Sequence, residues 1–230
     1  MKAKHYSANW KIIVAPLLVV GVPASLNNLM GSIASVLLNN EMVRYGENAL
    51  AGYGVSGKVN SMAVMVLIAI AFGVQPLLGY CYGAANKERF MAALKYTIKM
   101  QILIGTVGMV FIELLAPTLV RFFIDDAQVV QYGEFILRIM TLSCPIIGVM
   151  MLLTNLFQSM GKALPSMVLS LSRQGFVYIP VLLILSRVAG YHGVVCSQVT
   201  ADVLALVLAL VFYVRVMKKD KKFTSQGGNV

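Results

Sequence analysis

The chain has 230 residues, of which 59% are hydrophobic and only 12% charged, with a mean hydropathy of +0.80. A water-soluble domain of this size carries roughly a quarter of its residues as charge, so hydrocarbon is the solvent that this composition fits. The net charge of +10 sits in short connections and tails rather than along one amphipathic face, which argues against nucleic acid as a partner and for a lipid bilayer.

A bilayer core of about 30 Å takes about 20 apolar residues in helix, because unpaired backbone groups do not survive in lipid. Six stretches qualify, at about 12–39, 50–80, 92–117, 129–158, 164–185 and 194–216. The first is too long for a cleaved signal peptide and has no small-residue cleavage site behind it, so it reads as an anchor. Several exceed the minimum, which implies tilt, kinks or projection beyond the membrane. Pro16, Pro23, Pro76, Pro145 and Pro180 mark kinks or helix ends, since each removes a backbone donor. The expected fold is all-α: a polytopic membrane protein with one six-helix unit over 1–222 and a frayed tail over 223–230.

Lys2, Lys4, Lys11, Lys87, Arg89, Lys95, Lys99, Lys162, Arg215, Lys218, Lys219, Lys221 and Lys222 fall on one side of these spans. Arg44, Arg121 and Arg187 fall on the other. The bias predicts a multi-pass plasma (inner) membrane protein with both termini cytoplasmic.

Along the chain, the first span carries Ser25, Asn28, Ser32, Ser35 and Asn39 at three- and four-residue spacing, on one helical face. Such a stripe can line an aqueous cleft, or let helices approach closely and hydrogen-bond in lipid. Lys58, Glu113 and Arg138 lie in the outward third of the second, third and fourth spans, a set that reads as an outer gate or outer-leaflet network. Snorkelling to the interface accounts equally for Lys58 and Arg138. Asn155, Gln158, Gln174 and Tyr178 add neutral polar groups on the fourth and fifth spans as candidate cleft lining. Arg173 and Asp202 sit near mid-membrane depth in the fifth and sixth spans and are placed to form an interior ion pair. Asp202 is then either a coupling carboxylate or half of a static lock.

The 14 methionines suit a flexible wall for apolar cations or plain core filling. Cys81, Cys144 and Cys196 have no CxxC spacing and read as packing residues. No enzyme motif is present: His5 and His192 fall in a terminus and an outer loop, and no Walker-type segment occurs. No cofactor is expected.

At the basic end of the second span runs Gln75-Pro76-Leu77-Leu78-Gly79-Tyr80-Cys81-Tyr82-Gly83-Ala84. Pro76 frees a carbonyl there, and Gly79 and Gly83 are expected to let the chain turn sharply. Gly21-Val22-Pro23 opens the first span, Phe157-Gln158-Ser159-Met160-Gly161-Lys162-Ala163 closes the fourth, and Ser172-Arg173-Gln174 precedes Pro180 in the fifth. In this order and spacing the four segments resemble the second half of the multidrug and toxic compound extrusion family. The resemblance implies one six-span lobe of a two-lobed carrier, with a small organic substrate held between lobes that rock in alternating access. It implies half of a cation-coupled multidrug efflux antiporter that exports organic, often cationic compounds, with transported Na+ or H+ as coupling ion. It also implies a complementary six-helix lobe as partner, either a separate chain or a second copy. Two other readings fit: a flippase-type exporter of a lipid-linked saccharide, and a non-transporting fragment or partner-dependent membrane subunit. One departure stands out. Where some sodium-coupled branches carry carboxylates in the first and fourth spans of this lobe, this chain has Gly31 and Ile147.

Overall fold

The computed structural model describes residues 10–219, and among these the side chains of 25–218 apart from residue 163. The chain runs α1 (Trp10–Val43), α2 (Glu47–Gly83), α3 (Lys87–Arg121), α4 (Ala127–Thr141), α5 (Cys144–Ser159), α6 (Ala163–Leu171), a π turn (Ser172–Phe176) and α7 (Tyr178–Lys219). The expected tail at 223–230, the basic residues at 2, 4, 221 and 222, and His5 lie outside the described residues, as do the side chains of Pro16 and Pro23.

Helix ends follow local chemistry. Asn86 caps α3 by accepting from the Arg89 N–H at 3.0 Å, and Asp126 caps α4 by accepting from the N–H groups of Gln128 and Val129. Gly46 (φ 105°) and Gly161 (φ 69°) take the left-handed conformations that end α1 and α5. The α2–α3 turn departs from expectation. Gly79 and Gly83 remain helical in α2, and the left-handed residue is Ala85 at φ 54°. The capped start of α3 and the Asn86 N–H bonded back to Cys81 O at 3.0 Å hold Ala85 in a conformation that costs a non-glycine residue about 1 kcal/mol.

Two predicted spans are broken. The one expected over 129–158 is α4 and α5, bent by 46° around Leu142 and Ser143, with Pro145 in the first turn of α5. Those over 164–185 and 194–216 form one helical stretch reversed at Gly190 (φ 55°, ψ −133°). The reversal shows in the pairing, because Arg173 meets Asp202, Tyr178 lies beside Ser197, and Leu185 O meets the face of Gly193. By length and apolarity α2, α3 and the stretch Leu164–Lys218 can cross a membrane, and so can α4 with α5 as one bent span. With α1, and with the last stretch counted as a hairpin, the described residues make six passes joined by short turns, which set neighbours antiparallel.

In lipid there is little hydrophobic drive to press helices together, so small residues and hydrogen bonds carry the contact. A Cβ on Gly52 of α2 would come within 2.9 Å of Gly133 N on α4, and one turn on, Ser56 Oγ donates to Gly133 O at 2.7 Å. Gly105 of α3 packs against the bend, its missing Cβ only 2.8 Å from Pro145 Cα. One buried cluster fills the end near the α2–α3 turn, around Leu78, Phe90, Leu153, Phe157 and Ala209. A second fills the opposite end, around Leu38, Met42, Ile136, Leu182 and Val194. Among the described side chains, helix α1 buries Ala34, Leu38, Glu41 and Met42 and leaves Ser25, Asn28, Ser32, Ser35 and Asn39 exposed.

Candidate substrate and ion site

The site is built on the π turn. Val177 N–H donates to Ser172 O at 2.8 Å, five residues back, so the turn holds one residue more than an α turn. Pro180 lacks the N–H that would pair with the Phe176 carbonyl, which loosens the ladder at that point. Gly175 has Met30 of α1 close enough that a Cβ would sit 3.0 Å from its sulfur. The helix therefore seats against α1 while Arg173 and Gln174 turn toward the interior.

A polar cavity of about 170 Å³ opens there, lined by Gly31, Ala34, Ser35 and Leu38 of α1, Tyr53 of α2, Arg173 and Gln174 of the π turn, and Tyr178 and Gln198 of α7. At its base Arg173 Nε donates to Asp202 Oδ1 at 3.1 Å, and Gln198 Nε2 donates to Asp202 Oδ2 at 3.5 Å. The Asp202 side chain is fully buried and that of Arg173 is 14% exposed, so the pair is anchored in the protein and faces the cavity on the arginine side. Gln174 Oε1 occupies the space that a side chain at Gly31 would fill. Beside Gly31 the cavity thus presents the neutral amide of Gln174, and Ile147 is buried.

Of the residues singled out in the sequence, the cavity gathers Ser35, Arg173, Gln174 and Tyr178, with Asp202 beneath. Asn28, Ser32 and Asn39 stay on the open face of α1 beyond the cavity lining, and the hydroxyls of Ser32 and Ser35 bond back to the carbonyls of Asn28 and Gly31. Asn155 is buried within α5, and Gln158 is exposed near its end, so neither lines the cavity. Gln75, Pro76, Gly79 and Gly83 sit at the far end of α2.

The expected network of Lys58, Glu113 and Arg138 does not form, and that reading is corrected. Arg138 Nη2 donates instead to Glu134 Oε1 at 2.7 Å, one turn away on its own helix. Lys58 is exposed on α2, and no ion pair among the described residues joins the three.

Tyr53 and Gln198 were not foreseen. Gln198 lies four residues before Asp202, a helical spacing that puts both on one face; Tyr53 carried no such signal. Glu41, also unforeseen, is nearly buried near the end of α1 and accepts from Ser186 Oγ at 2.6 Å and Arg44 Nη1 at 3.1 Å. At that same end Tyr45, Tyr132 and Phe135 ring Tyr191 at 5.6–5.9 Å, and His192 meets Phe135 edge-on at 5.1 Å. Burial, with Tyr132 adding to it, pushes the Tyr191 phenol up to about 12.

The MatE family model matches residues 23–184. The multidrug export protein MepA of Staphylococcus haemolyticus (strain JCSC1435) is 28% identical over 200 residues, which cover 87% of this chain and 44% of that protein. MepA of Staphylococcus aureus (strain N315) is 28% identical over 204 residues, 88% of this chain and 45% of that protein. The chain thus spans about half the length of the curated relatives it matches. The Vibrio cholerae MATE transporter VcmN in its bent form shares the fold with a TM-score of 0.83 at 17% identity, over 95% of this chain and 50% of that one. The MATE transporter ClbM in complex with Rb+ gives a TM-score of 0.78 at 27% identity, over 88% of this chain and 47% of that one. A match running from the first span into the fifth, on a shared six-pass fold, means that the chain belongs to the MatE family.

Proposed function

We propose that the chain acts as the second lobe of a cation-coupled multidrug efflux antiporter that exports organic, often cationic compounds. It spans the plasma membrane with both termini in the cytosol and works against a complementary six-helix lobe. The observation that carries this reading is the polar cavity between α1 and the π turn, based on the Arg173–Asp202 pair and continuous with the exposed polar face of α1. Charge at mid-span is costly, so a pair kept there and facing the cavity on one side fits a transport path. A polar helix face left open by the lobe suits a substrate held against a second lobe, as alternating access requires. The names of the MepA relatives support export of drugs, and the ClbM complex with Rb+ supports a monovalent cation as coupling ion. In this reading Asp202 responds to Na+ or H+ through Arg173, while Gln174, Tyr178, Ser35 and Gln198 offer neutral hydrogen bonds to the cargo.

The test uses vesicles containing the chain with and without a matching lobe, under an imposed Na+ or H+ gradient, with a fluorescent organic cation as cargo. Gradient-driven export is expected, and Ser35→Trp, which fills the cavity from the open face, abolishes it without lowering the melting temperature. Export that survives Ser35→Trp refutes the site. Export by the chain alone identifies the partner as a second copy.

A further inference from the structure

A second and larger cavity, of about 360 Å³, lies between α2 and α3 beside their connecting turn, away from the polar site. Its floor is apolar, formed by Leu77 and Cys81 of α2 and Ala92 and Ala93 of α3, and its rim carries Tyr80 and Arg89. Leu77, Tyr80, Cys81 and Ala84 follow a three- and four-residue spacing, as do Arg89, Ala92 and Ala93, so two helical stripes face one groove. The alanines keep it open.

The groove is polar at one end only. Arg89 is exposed and has no acidic partner among the described residues. Asn86 Oδ1 is taken by the Arg89 N–H, which leaves its amide as a donor at the same rim. Lys87 and Lys95 add positive charge along the first turns of α3, against the single acid Glu88. Tyr80 is 73% exposed, with an aromatic body and a polar tip suited to headgroup depth. This is the end that the basic bias assigns to the cytosolic face, where anionic lipids draw basic side chains.

We propose that this groove binds one anionic phospholipid, with the phosphate at Arg89 and Asn86 and an acyl chain along Leu77, Cys81, Ala92 and Ala93. A free phosphate ion uses the rim alone and gains nothing from an apolar floor, whereas a lipid uses both. The inference does not depend on what the polar cavity transports.

The test is native mass spectrometry of the full delipidated chain, titrated with phosphatidylglycerol, phosphatidylcholine or inorganic phosphate. One phosphatidylglycerol is expected to bind ahead of phosphatidylcholine. Arg89→Gln weakens it about fivefold, the worth of one basic contact at an anionic surface, and Arg89→Lys restores most of it. Ala92→Trp fills the floor and also removes the lipid, while Lys99→Gln, outside the groove lining, retains it. Because Arg89 and Ala92 are exposed, all four variants should melt with the parent chain. Equal retention of both lipids, unchanged binding in Arg89→Gln and Ala92→Trp, or inorganic phosphate competing as well as the lipid would each overturn the assignment.

Discussion

Breaking the Arg173–Asp202 pair tests whether the interior charges are held as a unit. Removing one partner of a buried pair costs about 3–5 kcal/mol, because the survivor keeps a desolvated charge. The two sides are unequal: Asp202 is fully buried, while Arg173 is 14% exposed and reaches the cavity. Asp202→Asn leaves the charge on the wetter side and should cost about 3 kcal/mol, whereas Arg173→Gln strands the drier carboxylate and should cost more. For a chain of this size each kcal/mol moves the melting temperature by about 2–4 °C, so Asp202→Asn should lower it by about 6–12 °C. Cys81 and Cys144 are free and buried, so a thiol-reactive dye reads unfolding directly in detergent or nanodiscs. Combining Arg173→Gln with Asp202→Asn removes both charges and should recover part of the loss, which closes a double-mutant cycle with a coupling energy well outside additivity. A shift below about 2 °C for both single variants, or additive behaviour in the cycle, would show that the pair is not a unit.

Other sites give independent tests by the same melting measurement. Gly52→Ala presses a methyl against Gly133 N at 2.9 Å and should cost about 1–3 kcal/mol by overpacking, whereas Gly54→Ala meets nothing within 4 Å and should cost nothing. Tyr191 keeps a buried hydroxyl without a hydrogen-bond partner, so Tyr191→Phe should stabilise by about 1 kcal/mol while keeping the ring contacts. Its phenol is raised from 10.0 to about 12; the unfolded chain therefore gives up this proton first, and the fold loses stability as the pH climbs from 10 through about 12. Tyr191→Phe should flatten that alkaline loss in a melting series over the same range. Gly31→Ala meets only the flexible end of Gln174, so it should leave stability within about 1 kcal/mol yet change export kinetics by displacing that amide from the cavity.

What the sequence makes legible here is depth. Apolar run length fixes where each pass begins and ends along the membrane normal, and a charge inside such a run must find a partner. Arg173 and Asp202 therefore announce each other: they lie at similar depth on passes that form one hairpin about Gly190. Depth alone misleads where direction around the bundle decides contact. Lys58, Glu113 and Arg138 are each expected in the outward third of a span, yet Arg138 finds Glu134 one turn away on its own helix.

Direction is carried by helical phase, about 100° per residue, and every break resets it. The extra residue of the π turn changes neither composition nor hydrophobicity, so nothing in the apolar pattern reports it, yet it sets where every side chain beyond Ser172 points. The bend at Leu142 and Ser143 does the same for α5, where Asn155, polar and at a plausible depth, is buried away from the cavity. Of the residues not foreseen, Gln198 lies beyond both breaks, whereas Glu41 and Tyr53 lie before them. Both breaks lie within three or four residues of a proline, Pro145 or Pro180, so proline within an apolar run marks where a periodicity argument must begin again.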